Sequence, residues 1–146
     1  ALLRGAGLRV SRRSHWGEAG PGAHTDAHVW LGDSLGEMAL YYSLADVALL
    51  GGSFEPLGGQ NLIEAAACGC PVVMGPHTFN FLEAAEQAEA SGAAQRVPDM
   101  AAGVRHALAL VADTPARQAM SVAAQAFSQA HKGSARRVAG LVKGLL

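Results

Sequence analysis

The sequence predicts an α/β fold: a parallel sheet with helices on its faces. Short apolar runs alternate with stretches of helical periodicity, the pattern of buried parallel strands joined by crossover helices. Half the residues are hydrophobic but only 5% are aromatic, and 18 are glycine, which suits helices packed closely on a sheet more than a β-sandwich. A chain of 146 residues has room for one ordinary core, so residues 1–146 are expected to form a single domain with a helical tail from about 114 to 146.

The opening residues Ala1–Gly7 read as the end of a helix closed by glycine, and Leu8–Arg13 alternates as a strand does. His15–Thr25 is polar, glycine-rich and without period, a surface loop. An apolar run at Ala27–Leu31 is followed by a helical stretch at Gly36–Leu44, a run at Val47–Leu50 and a helix at Asn61–Cys68. Strand Pro71–Met74, helix Phe81–Ala90 and strand Ala94–Val97 continue the alternation. The remaining third is alanine-rich, with helices expected at Met100–Val111, Pro115–Ala130 and Ser134–Leu146, the second of them capped by Thr114 with Pro115 at its first position.

Several classes are disfavoured. A net charge of −1, from 11 basic and 12 acidic residues spread along the chain, leaves no basic face for nucleic acid. No run approaches the length of about 18 apolar residues that a membrane span needs, and a soluble piece is expected. Cys68 and Cys70 fit neither a metal knuckle nor an unstrained disulfide, and read as small core residues in a reducing compartment. His15, His24, His28, His106 and His131 lack metal-site spacing, so no metal and no cofactor are expected. The fingerprints of α/β-hydrolases, P-loop NTPases and dinucleotide dehydrogenases are absent.

The most informative segment is Gly51–Glu64, which joins an apolar strand to a helix and so lies on the carboxyl edge of a parallel sheet, where open α/β folds bind ligands. Gly58 and Gly59 clear side chains from the backbone just before the helix, whose positive end favours a phosphate. Asn61 can present its amide there, and Glu64, one turn in, can grip a ribose diol. Equally, Asn61 and Glu64 have the spacing of a helix-capping box, as do Ser34 with Glu37 and Asn80 with Glu83. Two further loops open on the same edge: Gly32–Glu37, carrying Asp33, and Gly75–Phe81, where a rigid Gly-Pro precedes His77 and Asn80. Three successive polar, glycine-bearing loops on one edge favour a binding site over three unrelated caps.

The series Leu31–Met38, Ala45-Asp46-Val47 leading to Gly51-Gly52-Ser53, Gly58–Asn61 with Glu64-Ala65-Ala66, and Met74–Phe81 resembles the C-terminal domain of the Kdo (3-deoxy-D-manno-octulosonic acid) transferases. The resemblance covers roughly Ala1–Val111, and departs from the family pattern around Phe54–Leu57 and Leu62–Ala65. It implies half of a GT-B glycosyltransferase: two Rossmann-like domains facing across a cleft, with the donor CMP-Kdo held mainly by the C-terminal one. On that basis Gly58, Gly59 and Asn61 would meet the CMP phosphate, Glu64 its ribose, and Ser53 would line the pocket. Gly32, Asp33 and Glu37 would lie near the cytosine, with His77 and Asn80 completing the site.

The implied reaction is transfer of Kdo from CMP-Kdo to a lipid A precursor in lipopolysaccharide core biosynthesis. The family's general base is a carboxylate of the N-terminal domain, so this chain is expected to bind the donor and not to catalyse alone. The parent enzyme would sit at the cytoplasmic face of the bacterial inner membrane, with the lipid A precursor held by its other domain. Relatives carry further strand–helix units upstream, so the chain reads as a partial domain. An unpaired sheet edge would then be covered by self-association or by rearrangement of the first strand, Leu8–Arg13. The rival readings are another GT-B nucleotide-sugar transferase or epimerase, and a non-catalytic nucleotide-binding module.

Overall fold

The structure, a computed structural model, describes residues 2–18, 20, 21 and 26–143, the side chains of 132–143 excepted. The chain divides into two compact units, Ala1–Tyr41 and Tyr42–Leu146.

In the first unit, α1 (Leu2–Gly5) leads to β1 (Val10–Arg12), which pairs in parallel with β2 (Val29–Leu31) in the register Val10 to Val29. The strand expected over Leu8–Arg13 therefore forms with a partner inside the chain. Aromatic packing supports the pair: the Trp16 ring meets Trp30 edge-on at 5.2 Å, and its indole N–H donates to the buried Ser11 hydroxyl at 2.7 Å. The Arg13 guanidinium lies 5.4 Å from the Trp16 ring centre. Residues 19 and 22–25, including His24 and part of the expected loop, lie outside the described residues. Helix α2 (Met38–Leu44) follows.

The second unit carries β3 (Ala48–Leu50), α3 (Leu62–Ala67), β4 (Val72–Met74), α4 (Leu82–Ala90), β5 (Ala94–Arg96), α5 (Met100–Ala112) and α6 (Thr114–Lys143). Its sheet has the order β3-β4-β5, parallel throughout. The central β4 is buried at every residue, which is why it reads as an unbroken apolar run and not as an alternating one. Val72 and Met74 face a core built by Leu62, Ala65 and Ala66 of α3, Ala85 and Ala88 of α4, and Ala124 and Phe127 of α6. Val73 points the other way, into a smaller cluster with Val97, Leu110, Phe54 and Met120. Burying each such aliphatic side chain contributes about 1.5–3 kcal/mol. The alanines are what let three helices lie so close to one sheet face. Gly103 serves the same end on the other face, since a Cβ there would stand 2.9 Å from Phe54 Cζ.

Two expectations for the tail are corrected. The cap of α6 is Asp113, whose carboxylate accepts from the amide of Ala116 at 3.0 Å; Thr114 is already helical. A longer side-chain reach and a full negative charge at a helix start favour the aspartate. The expected break between Ala130 and Ser134 does not occur, as α6 runs on to Lys143. A lone glycine, Gly133, costs a helix only about 1 kcal/mol and does not end it. Residues 144–146 lie outside the described residues.

Candidate functional site

Two of the three strand-to-helix connections at the carboxyl edge of the second sheet, those after β3 and β4, carry the expected site residues, and the structure interlocks them. After β3 the chain makes a tight turn at Gly51–Ser53, and after β4 it turns again at Phe79–Phe81. The amide of His77 donates to the carbonyl of Ser53 at 2.9 Å, and the amide of Asn80 donates to the carbonyl of Gly58 at 3.1 Å. The Asn80 side-chain amide adds a bond to the carbonyl of Leu57 at 3.2 Å. Gly59 closes its own loop by donating to the carbonyl of Gly52 at 3.1 Å.

The two glycines are needed for this contact. Gly58 has φ +89°, and a Cβ on it would stand 2.5 Å from Asn80 Cγ and 2.6 Å from Phe79 Cε2. Gly59 has φ +83°, and its Cβ would press on the backbone of His77 and Thr78 at 3.3–3.4 Å. The double glycine thus lets one loop lie against the other.

Asn61 is the cap of α3. Its Oδ1 accepts from the amide of Ile63 at 3.1 Å, and its Nδ2 donates to Glu64 Oε1 at 2.9 Å. The capping half of the two readings therefore holds for Asn61, but Glu64 does not turn back to the Asn61 amide as a capping box requires. Instead the exposed Glu64 carboxylate is steered by the Asn61 side chain, close to the double glycine in sequence. Asn80 caps nothing: α4 has no side-chain cap, and the Asn80 amide is spent on Leu57.

Ser53 differs from its expected place on the pocket wall. It is fully buried, its hydroxyl donating to the carbonyl of Leu50 at 2.6 Å and accepting from the amide of Gly75 at 2.8 Å. Its role lies beneath the loops, where it joins them.

Gly32, Asp33 and Glu37 form a cluster of their own in the first unit. All four carboxylate oxygens have partners: Asp33 takes the Ser14 amide and hydroxyl and the Arg12 guanidinium, and Glu37 takes Arg13, Ser34 and Tyr41. The Ser14 amide, then its hydroxyl and the Arg12 charge, hold the Asp33 carboxyl below its usual range. The Ser34 hydroxyl, followed by Tyr41 and Arg13, does the same for Glu37. Gly32 makes room for the Tyr41 ring, which a Cβ would meet at 2.7 Å.

Sequence reasoning passed over Arg12, Arg13 and Arg96. The first two stand two residues or fewer from a strand end and gave no pattern. Arg96 reaches from the end of β5 to the Gly75 carbonyl at 3.3 Å and the Thr78 hydroxyl at 3.0 Å, and only the sheet register brings them together. Among the described residues no three His, Cys, Asp or Glu side chains converge as metal ligands would. Burial pushes the Cys70 thiol up to about 11, in keeping with a core residue.

Residues 22–127 match the family model "Glycosyl transferases group 1". The chain belongs to the group 1 glycosyl transferases. Within that family it is 57% identical over 137 residues to the 3-deoxy-D-manno-octulosonic acid transferase of Bordetella pertussis, covering 94% of this chain and 31% of that protein. The corresponding transferase of Haemophilus influenzae is 48% identical over 58 residues, 40% of this chain and 14% of the relative. This glycosyl transferase chain thus spans about a third or less of these curated relatives. Its fold is similar to the crystal structure of the C-terminal CMP-Kdo binding domain of WaaA from Acinetobacter baumannii, with a TM-score of 0.78 and 29% identity over 88% of this chain and 65% of that one. The α/β fold expected from the sequence, and the likeness to Kdo transferases, are both borne out.

Proposed function

We propose that this chain binds the CMP moiety of CMP-Kdo, and that the enzyme to which it belongs transfers Kdo to a lipid A precursor in lipopolysaccharide core biosynthesis. The observation that carries this reading is the 57% identity, spread over 94% of the chain, with a Kdo transferase. The loop geometry suits it. Gly58 and Gly59 let the loop of His77 and Asn80 close up beside Asn61, where a phosphate would sit, and the exposed Glu64 carboxylate, held by the Asn61 side chain, is available to a ribose diol. His77 and Asn80 form the facing loop, and Ser53 supports both from below. Gly32, Asp33 and Glu37 shape the loop assigned to the cytosine, with the two carboxylates engaged by their own unit.

Stabilising the departing CMP phosphate with amides and polar side chains lowers the cost of the leaving group, so the reading calls for no cofactor and no metal. The general base would come from elsewhere in the parent enzyme. That enzyme would work at the cytoplasmic face of the inner membrane; among the described residues no helix is long and apolar enough to cross one. Self-association through an open edge of β3 or β5 completes the proposal, and sedimentation over a concentration series would test it.

Calorimetric titration of CMP and of UDP into this chain, into its Glu64→Ala variant and into the whole parent enzyme tests the donor site. CMP binding that is lost with Glu64, and no UDP binding, is the expected result. UDP binding would point to a different nucleotide sugar, and binding of neither nucleotide by any of the proteins would leave Asn61 as the cap of α3 with Glu64 as its side-chain partner and end the assignment.

A further inference from the structure

The loop Gly75–Phe81 has no strand partner of its own, yet it carries His77 and Asn80. On one side it is held by the loop that follows β3, through the Ser53 and Gly58 carbonyls. On the other side it meets Arg96. Arg96 ends β5 opposite Met74, the last residue of β4, and its Nη1 donates to the Gly75 carbonyl at 3.3 Å and to Thr78 Oγ1 at 3.0 Å. Its Nε donates to Glu89 Oε2 of α4 at 2.9 Å.

This arrangement is unusual for a strand-end arginine, which ordinarily runs its stem along the surface and leaves its head in water. Here Glu89 fixes the direction of the guanidinium, and the planar fork then presents its remaining donors to two successive points of the loop. Thr78 is only 4% exposed, so its hydroxyl depends on partners within the protein. Packing cannot substitute for the guanidinium. A cavity of about 400 Å³ opens beside it, lined by His77, Thr78, Phe79, Leu82, Glu89 and Arg96, and Phe79 and Leu82 are themselves more than half exposed.

We propose that Arg96, oriented by Glu89, is a positioning residue of the donor site: it clamps Gly75 and Thr78 so that His77 and Asn80 are presented against Gly58 and Gly59. The clamp follows from the geometry alone, while its consequence for a ligand rests on the CMP site proposed above. Lysine gathers its three donors on one atom at the end of a flexible stem and so does not reproduce the planar fork that sends Nε to Glu89 and Nη1 to Gly75 and Thr78.

The test combines amide hydrogen exchange with CMP calorimetry on wild type, Arg96→Met, Arg96→Lys, Thr78→Val and Thr78→Ser. Arg96→Met and Thr78→Val are each expected to speed exchange of the His77, Asn80 and Phe81 amides while those of α3 and β4 keep their protection. Each is expected to weaken CMP binding about tenfold, the scale of one charge-assisted hydrogen bond, and the double variant to be no weaker than the single ones. Thr78→Ser, which keeps the hydroxyl, restores both readouts, and Arg96→Lys restores neither. Thr78→Val leaves the Arg96 to Glu89 pair intact, so it decides the matter should Arg96→Met fail to fold. Unchanged exchange in the loop overturns the clamp, and faster exchange with unchanged CMP affinity overturns its positioning role. If neither the wild-type chain nor the whole parent enzyme binds CMP, the donor-site reading and the positioning role built on it fall together, while the exchange data still decide whether the clamp exists.

Discussion

The buried hydroxyl of Ser53 accepts a hydrogen bond from the amide of Gly75 at 2.8 Å while donating to the carbonyl of Leu50 at 2.6 Å, and so ties the end of β3 to the first residue after β4. Neither strand is longer than three residues, which makes a bond across their ends a large part of what keeps the two loops in step.

Replacing Ser53 with alanine would leave the Gly75 amide without that partner in a place water cannot readily reach. The expected loss is about 1–3 kcal/mol of stability, the cost of a buried unsatisfied group. Urea unfolding of Ser53→Ala measures it. A loss below about 0.5 kcal/mol, the range of an ordinary surface substitution, would show that the strand ends hold without the hydroxyl.

At Gly58 the positive φ and the Asn80 and Phe79 side chains act together against any Cβ. Gly58→Ala is expected to cost more than the about 1–2 kcal/mol that a left-handed backbone alone exacts. Gly59→Ala shares the positive φ but has its nearest clash at 3.3 Å, so it should cost less. Thermal unfolding of the two variants gives the comparison. Equal losses would mean that backbone strain, and not the contact with Asn80, explains the conservation of space at the loop crossing.

Acid should loosen the first unit. Asp33 and Glu37 are held below their usual values of 3.8 and 4.5, Asp33 chiefly by the Ser14 amide and Glu37 chiefly by the Ser34 hydroxyl. A depressed carboxyl stabilises the folded state above its unfolded pKa, and that contribution fades as pH falls through the lower folded value. Stability of the first unit is therefore expected to be level above about pH 5 and to decline below pH 4. Trp16 and Trp30 are the only tryptophans in the chain and both lie in this unit, so their fluorescence during acid titration reports it directly. Asp33→Asn with Glu37→Gln should flatten the profile over that range, and an unaltered profile would assign the acid response to other groups.

Much of the architecture is legible in the chain itself. The runs at Val47–Leu50, Pro71–Met74 and Ala94–Val97 each contain the observed strand; the central one reads as an unbroken apolar run because a strand buried on both faces has to be apolar at successive positions, whereas Ala48–Leu50 and Ala94–Arg96, at the ends of the sheet order, are each exposed at their middle residue. The double glycine was legible for a similar reason: two adjacent residues without side chains before a helix mark close approach, whatever it is that approaches. The end of α5 and the start of α6 were less so, since Asp113 and Thr114 are both competent caps and their local patterns do not choose between them.

What the sequence by itself determined is the α/β alternation, the order of the elements and the loops that carry the candidate site, because these depend on periodicity and on residue types over short spans. Only the tertiary structure decided which polar group meets which. Asp33 and Glu37 looked available for a ligand until Arg12, Ser14 and Arg13 took their oxygens; Ser53 looked like a pocket wall until the turn after β3 directed it inward; Arg96 had no visible role until the register of β4 and β5 set it beside Gly75 and Thr78. A hydrogen bond between residues some 20 positions apart is fixed by how strands align, and a side chain's burial by which way the backbone turns, neither of which leaves a periodic trace in the chain.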